Sequence, residues 1–367
     1  MEFTYYMPVR VIFGKGVVTK SAAEFKRLGS RALVVTGRNS ADVNGSMADT
    51  AKALEECGIS YKRYGEIKPN PDVENVRDAA ARARSIGADF IIGIGGGSPL
   101  DAAKAVAILA ANDIDDETLF SGTYTSRPLP VAAIPTTAGT GSEVTPYSIL
   151  TRRSIRNKKS IGSPLIFPVM ALIDPAYTYT LGINSTINTA IDALSHAVES
   201  CLSVRSTPAI KPAAYESMRL IAGTFNTLRR HELPSSSERE SLMYASMLAG
   251  TCIAQAGTTV VHAIGYPLTY YRNVDHGRAN GLVMHGFLKF LERRSTGVQE
   301  LLEIMGMGST DEFGTAMNDL LGARETLSED EIKLFTDTVL TSKNVANTLP
   351  QPSRQDIEEI IRFSFPG

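Results

Sequence analysis

Four short runs constrain this chain more than any other feature. ALVVT (32–36), DFIIGI (89–94), PVAAI (130–134) and MALID (170–174) are apolar almost throughout. A strand with one face in water alternates polar and apolar residues, whereas a strand apolar on both sides must be covered on both, as in a parallel sheet flanked by helices. Helical stretches separate the runs, notably DVENVRDAAARARSIG (72–87) and SPLDAAKAVAILAAN (98–112), so the first part predicts an α/β domain. Past Pro175 the β-rich runs stop, and apolar residues recur at intervals of three and four until near the C-terminus. That half reads as all-helical. In STINTAIDALSHAVESCL, Ile187, Ile191, Leu194, Val198 and Leu202 make one buried stripe. Ser236 or Ser237 would cap the helix ERESLMYASMLAGTCIAQA and Gly257 would end it. The chain of 367 residues exceeds what one core fills, and the change of period near 175–185 divides it into domains 1–180 and 181–367.

Composition removes several classes of function. With 37 basic and 39 acidic side chains, neither nucleic acid nor an anionic membrane is favoured as partner. The start, MEFTYYMPVRVIFGKG, has no basic and apolar signal, and no stretch approaches the roughly 18 apolar residues of a membrane span, so a cytoplasmic protein is expected. Cys57, Cys201 and Cys252 lie far apart and in no CxxC spacing, so any metal must be held by nitrogen and oxygen.

After DFIIGI come Gly95, Gly96, Gly97, Ser98 and Pro99, then a helix through Asp101. Glycines let backbone approach a ligand, Ser98 can serve as N-cap with Pro99 at the first helical position, and the free N–H groups suit a pyrophosphate. A plain strand-to-helix turn with a capping box from Ser98 and Asp101 fits the same residues. A second loop, Pro135 to Thr145, follows PVAAI at its carboxyl end, where α/β sheets bind ligands, and is rich in small and hydroxyl residues. The GxGxxG fingerprint is absent.

Only five histidines occur: His196, His231, His262, His276 and His285. Asp192 and His196 stand four apart on one helix face and can chelate one ion, although a plain polar pair has the same spacing. His262 lies among small apolar residues, where a buried imidazole needs a partner, and His276 follows in VDHGRANG. One carboxylate and three imidazoles suit zinc or iron and leave room for an exchangeable oxygen ligand. His231, in an Arg-Arg-His-Glu run, reads as a solvated residue, and His285 as a core or supporting one.

The segments GGGSPLDAAK, AIPTTAGTGSEVT, DALSHAVES and HAIGYPLTYYRNVDHGRANG, in this order, resemble those of the iron-containing alcohol dehydrogenase family, of dehydroquinate-synthase-like fold. The likeness is nearest to the branch of 1,3-propanediol and related short-chain alcohol dehydrogenases. It implies an α/β domain that binds NAD(P), a helical metal-binding domain and an active site between them. It implies Asp192, His196, His262 and His276 as ligands of Fe2+, with Zn2+ also suited to the donors. Implied cofactor contacts are Asn70, Gly95, Gly96, Gly97, Ser98, Asp101, Thr136, Thr137, Thr145 and Lys158, or Lys159 if the register slips by one. Many family members carry a second histidine four residues after the third ligand; here Tyr266 takes its place and is expected to line the substrate site.

The implied reaction moves a hydride between a primary or short-chain alcohol or diol, or its aldehyde, and NAD(P), with a metal polarising the substrate oxygen. A homodimer or higher homo-oligomer is expected. Where many relatives carry an acid after the first clear strand, this chain has Gly37, followed by Arg38, Asn39 and Ser40. Removal of that charge, with an arginine beside it, predicts that NADP is accepted at least as well as NAD. A lyase or cyclase of the dehydroquinate-synthase type is the alternative; it needs a strongly basic pocket, and Arg272 and Arg278 are the cations near the ligands in sequence.

Overall fold

The computed structural model describes residues 2–294 and 297–366. The chain divides between Leu181 and Gly182 into two compact units, and the N-terminal segment up to Tyr6 belongs with the second.

The first unit holds eight strands: β1 (Arg10–Phe13), β2 (Arg31–Thr36), β3 (Ser60–Tyr64), β4 (Phe90–Gly95), β5 (Val131–Pro135), β6 (Tyr147–Arg152), β7 (Asn157–Gly162) and β8 (Met170–Ile173). Six form a parallel sheet in the order β1-β8-β5-β4-β2-β3, and β6 and β7 form a separate antiparallel pair. The four apolar runs are β2, β4, β5 and β8, the interior strands. Their successive residues feed opposite faces: Leu33 and Val35 pack in one core with Val106 and Ile108, while Ala32 and Val34 pack in the other with Phe90 and Ile92. The edge strands β1 and β3 are half-exposed, and their mixed sequences RVIF and SYKRY carry no such signature.

The two longest helices of this unit are α1 (Val73–Ser85) and α2 (Gly97–Ala111). Asp72 caps α1 by accepting from the N–H of Asn75. The expected cap of α2 is not formed. The helix starts at Gly97 with Gly96 as N-cap and no side-chain cap, because the glycines allow the backbone to turn into helix directly from β4. Ser98 therefore lies inside the first turn, where its hydroxyl accepts from the N–H of Asn70 at 3.1 Å. Asp101 turns away to Ser142 and the N–H of Ile149, so the capping box of Ser98 and Asp101 is absent as well.

In the second unit the main helices are α3 (Ile183–Cys201), α4 (Ser236–Ala256), α5 (Val260–Arg272) and α6 (His276–Glu292). Its described residues form no strand, only the isolated bridge Ser203–Thr348. Ile187, Ile191, Leu194 and Val198 are buried along α3, with Leu202 just beyond it. The cap of α4 is Ser235 rather than Ser236 or Ser237, and it closes a reciprocal capping box with Glu238. Gly257 ends that helix. Among the described residues no single helix is long and apolar enough to cross a membrane.

Candidate active site

α3 presents Asp192 and His196 on its buried face, the first turn of α5 presents His262, and α6 begins at His276. One carboxylate oxygen is the focus. Asp192 Oδ1 lies 3.9 Å from His196 Nε2, 3.8 Å from His262 Nε2 and 3.9 Å from His276 Nε2. The Nε2 atoms of His196 and His262 are 2.9 Å apart, with their rings stacked. Asp192, His196 and His262 form a buried trio of donors, while the side chain of His276 is 27% exposed and makes the open side. Glycine permits this convergence. A Cβ at Gly277 would stand 1.8 Å from the carbonyl oxygen of Asn188, so only glycine lets α6 start this close to α3.

A divalent cation fits the donor set. Four ligands about 2.1 Å from an ion are separated from each other by about 3.4 Å; here Asp192 Oδ1 lies 3.8–3.9 Å from each of the three Nε2 atoms and the Nε2 atoms of His196 and His262 are 2.9 Å apart, while His276 stands outside the mutually close trio. Two facing Nε2 atoms also need a proton on one of them, or a cation to which both lone pairs are directed. Burial alone would push the Asp192 carboxyl up, but His196, His276, His262 and the Asn280 amide bring it below the ordinary carboxylate range. Asp192 is thus the ionised group of the cluster.

Two residues given no role in the sequence analysis complete the centre. Glu199, fully buried one turn beyond His196, meets His262 Nδ1 and accepts from the N–H and hydroxyl of Thr259. Asn280 Nδ2 donates to Asp192 Oδ1 at 2.9 Å and lies 3.1 Å from His262 Nε2. The spacing of 192, 196 and 199 on one helix face was the available signal for Glu199; for Asn280 it was the single turn separating it from His276.

Tyr266 lies one turn beyond His262, its ring stacked on that of His276 with centroids 5.5 Å apart. Arg272 is engaged by Glu331 and the carbonyl of Thr326, and Arg278 by Glu325 and the carbonyls of Leu321 and Ala323. Both cations are occupied, which does not favour the phosphorylated substrate of a lyase or cyclase. His231 is exposed and His285 packs against Phe363.

In the first unit, β2, β4 and β5 are neighbours and carry three turns at their carboxyl ends. Gly37 is half-buried after β2, and Arg38, Asn39 and Ser40 are exposed. Arg63 of β3, which sequence reading passed over, reaches this turn: it donates to Thr36 Oγ1 and to the carbonyls of Gly37 and Arg38, and it pairs with Asp42. After β4, Gly95, Gly96 and Gly97 lead into α2, whose uncapped start suits an anion. The loop after β5 lies against them, with a Cβ at Gly97 only 2.7 Å from Thr140. Thr137 is half-buried beside Gly96, whereas Thr136 and Thr145 are buried.

Beneath the turn, Lys104 Nζ donates to Ser142 Oγ at 2.7 Å, Thr145 Oγ1 at 3.3 Å and the Tyr147 carbonyl at 2.7 Å. Burial lowers this lysine to about 8 and raises the neighbouring Glu143 to about 7. Asn70, exposed, is tied to both sides: its N–H donates to Ser98 and its carbonyl accepts from Thr151. Lys158 pairs with Thr151 across the β6–β7 ladder and contributes to the field at Asp101, while Lys159 lies over the ring of Phe120. The first of the two lysines is therefore the one on the side of the turn.

Residues 8–175 match the model of the iron-containing alcohol dehydrogenases, and residues 186–365 match the C-terminal model of the Fe-containing alcohol dehydrogenase family. The chain is 33% identical over 314 residues to 1,3-propanediol dehydrogenase of Klebsiella pneumoniae, covering 84% of this chain and 80% of that one. It is similar to the crystal structure of an iron-containing alcohol dehydrogenase from Thermotoga maritima, with a TM-score of 0.93, 39% identity and 100% of each chain covered. Sulfoacetaldehyde reductase from Bifidobacterium kashiwanohense in complex with NAD+ gives a TM-score of 0.88 at 29% identity, over 100% of this chain and 99% of that one. The chain thus belongs to the iron-containing alcohol dehydrogenase family, and it is an oxidoreductase that uses a divalent metal and a nicotinamide cofactor.

Proposed function

We propose that the enzyme interconverts a primary or short-chain alcohol, or a diol, with its aldehyde, and that Asp192, His196, His262 and His276 hold the metal. The observation that carries this reading is the focus of three imidazole nitrogens on Asp192 Oδ1. A divalent cation bound there supplies Lewis acidity that polarises the substrate oxygen. The side chains do the rest. Asp192 provides the negative charge that retains the cation, Asn280 holds that carboxylate, and Tyr266 shapes the substrate side through its contact with His276. The first-turn N–H groups of α2 receive the pyrophosphate, with Asn70, Ser98, Thr137 and Lys158 around it. Gly37, Arg38, Asn39 and Ser40 form the ribose end, where space and positive charge favour NADP. Iron is the metal proposed in the cell, the cytoplasm the location, and a homodimer or higher homo-oligomer the assembly.

Elemental analysis of protein purified without added metal, joined to a panel of alcohols with NAD+ and NADP+, tests the reading. Net formation of reduced nicotinamide from a simple alcohol is expected. Turnover of a phosphorylated carboxylic substrate with no net change in nicotinamide would replace it with the lyase or cyclase reading.

A further inference from the structure

Glu199 is fully buried and faces Thr259 and His262 at the start of α5. Oε1 accepts from the N–H of Thr259 at 2.7 Å, from the Thr259 hydroxyl at 2.6 Å and from the N–H of His262 at 3.4 Å. Oε2 meets His262 Nδ1. Backbone N–H groups cannot accept, so Oε1 must be an acceptor. The proton shared between Oε2 and Nδ1 resides on the nitrogen, because an imidazole is the stronger base of the two. A neutral imidazole has one ring proton, so with Nδ1 protonated Nε2 is left bare. That bare nitrogen is the atom 3.8 Å from Asp192 Oδ1 and 2.9 Å from His196 Nε2.

From this geometry we infer that Glu199 is a positioning residue that locks His262 in the tautomer offering Nε2 to the metal, an inference resting on the four-ligand reading above. It acts through His262 and lies behind it, away from the Asp192 side. Glu199→Gln separates this role from mere support of α5. The amide oxygen must take the Oε1 position, since the Thr259 N–H faces it, and there it still holds the helix start. The amide NH2 then occupies the Oε2 position and donates to Nδ1. His262 can accept that bond only by moving its own proton to Nε2, which blocks the ligand atom. One atom changes, and packing is retained.

The test uses the full chain, freed of metal by chelation and then titrated with Zn2+ alone against a chromophoric chelator. The ring nitrogens of His262 are followed by 15N NMR of protein labelled at its five histidines. In the wild type the neutral His262 imidazole is expected to carry its proton on Nδ1 and none on Nε2. In Glu199→Gln the proton should move to Nε2 in the metal-free protein, and Zn2+ affinity should fall by about 10–100-fold, with the circular dichroism unchanged. A variant that binds Zn2+ as the wild type does, or that keeps Nδ1 protonated, overturns the inference while leaving the four-ligand site standing. Wild-type protein that takes up no Zn2+ at these residues overturns both. Should the variant not fold, the wild-type spectrum still decides, because a neutral wild-type His262 with its proton on Nε2 and none on Nδ1 contradicts the lock outright.

Discussion

His276 has the least protein around it of the four proposed ligands, and it stands at the first residue of its helix. His276→Ala should therefore lower metal content and remove nearly all turnover while leaving the circular dichroism unchanged; full metal content with normal turnover would remove it from the ligand set. Its stacking partner is Tyr266, with ring centroids 5.5 Å apart. Tyr266→Phe should keep activity within about tenfold of wild type, whereas a loss of roughly 10²-fold or more, the size of a removed acid–base group, would make its hydroxyl the proton relay. At the proposed ribose end, a Cβ at Gly37 would lie 3.7 Å from the Ile67 carbonyl, an ordinary contact. The carboxylate added by Gly37→Asp would repel a 2′-phosphate and accept from ribose hydroxyls. The wild type should use NADP at least as well as NAD by kcat/KM, and Gly37→Asp should shift the ratio toward NAD by about tenfold, or ~1.4 kcal/mol. A wild-type preference for NAD that the substitution leaves unmoved would count against the assignment.

Among the elements, the contact of α3 with α6 decides whether the ligands meet. Gly277→Ala places a methyl group against the Asn188 carbonyl, and α6 must retreat from Asp192. A loss of about 1–3 kcal/mol of stability is expected, with weaker Zn2+ binding in titration; Gly223→Ala, whose added Cβ meets open space, serves as the control and should change neither. Unchanged Zn2+ binding in Gly277→Ala would mean the helix ends can adjust. The elements differ in how plainly they are written. β2, β4, β5 and β8 are legible because strands covered on both faces must be apolar throughout, while β1 and β3 at the edges and the β6–β7 pair, with its run NKKSIG, meet no such demand. The convergence of three imidazoles on Asp192, the proposed metal site, is legible because histidine is scarce and a spacing of four fixes a helix face. Glu199 is not, since a glutamate on a helix reads as a surface residue until Thr259 and His262, some sixty positions later, fold onto it. Ser98 fails for a local reason: two glycines before it start the helix earlier than a serine cap would.

Over the whole molecule, the residues proposed for metal and for nucleotide fall in different units. The four ligands come from α3, α5 and α6, and the nucleotide candidates from residues 37–158, before the division at Leu181. Binding energy stabilises the structure that must be formed for binding, by ~4 kcal/mol when the ligand is at 1,000 times its Kd. Cross-linking of three helices by one ion should therefore protect their amides and leave the strands of the other unit alone, since opening occurs in cooperative regional units. Hydrogen exchange of the full chain with and without chelator checks this. Chelation should speed exchange in Ile183–Cys201, Val260–Arg272 and His276–Glu292, and leave β2, β4 and β5 as they were. NADP+ added to the metal-free protein should slow exchange in the turn after β4 and the loop after β5. If chelation loosens β4 and β5 as much as α5, the two units open as one, and metal loss should then weaken NADP+ binding as well.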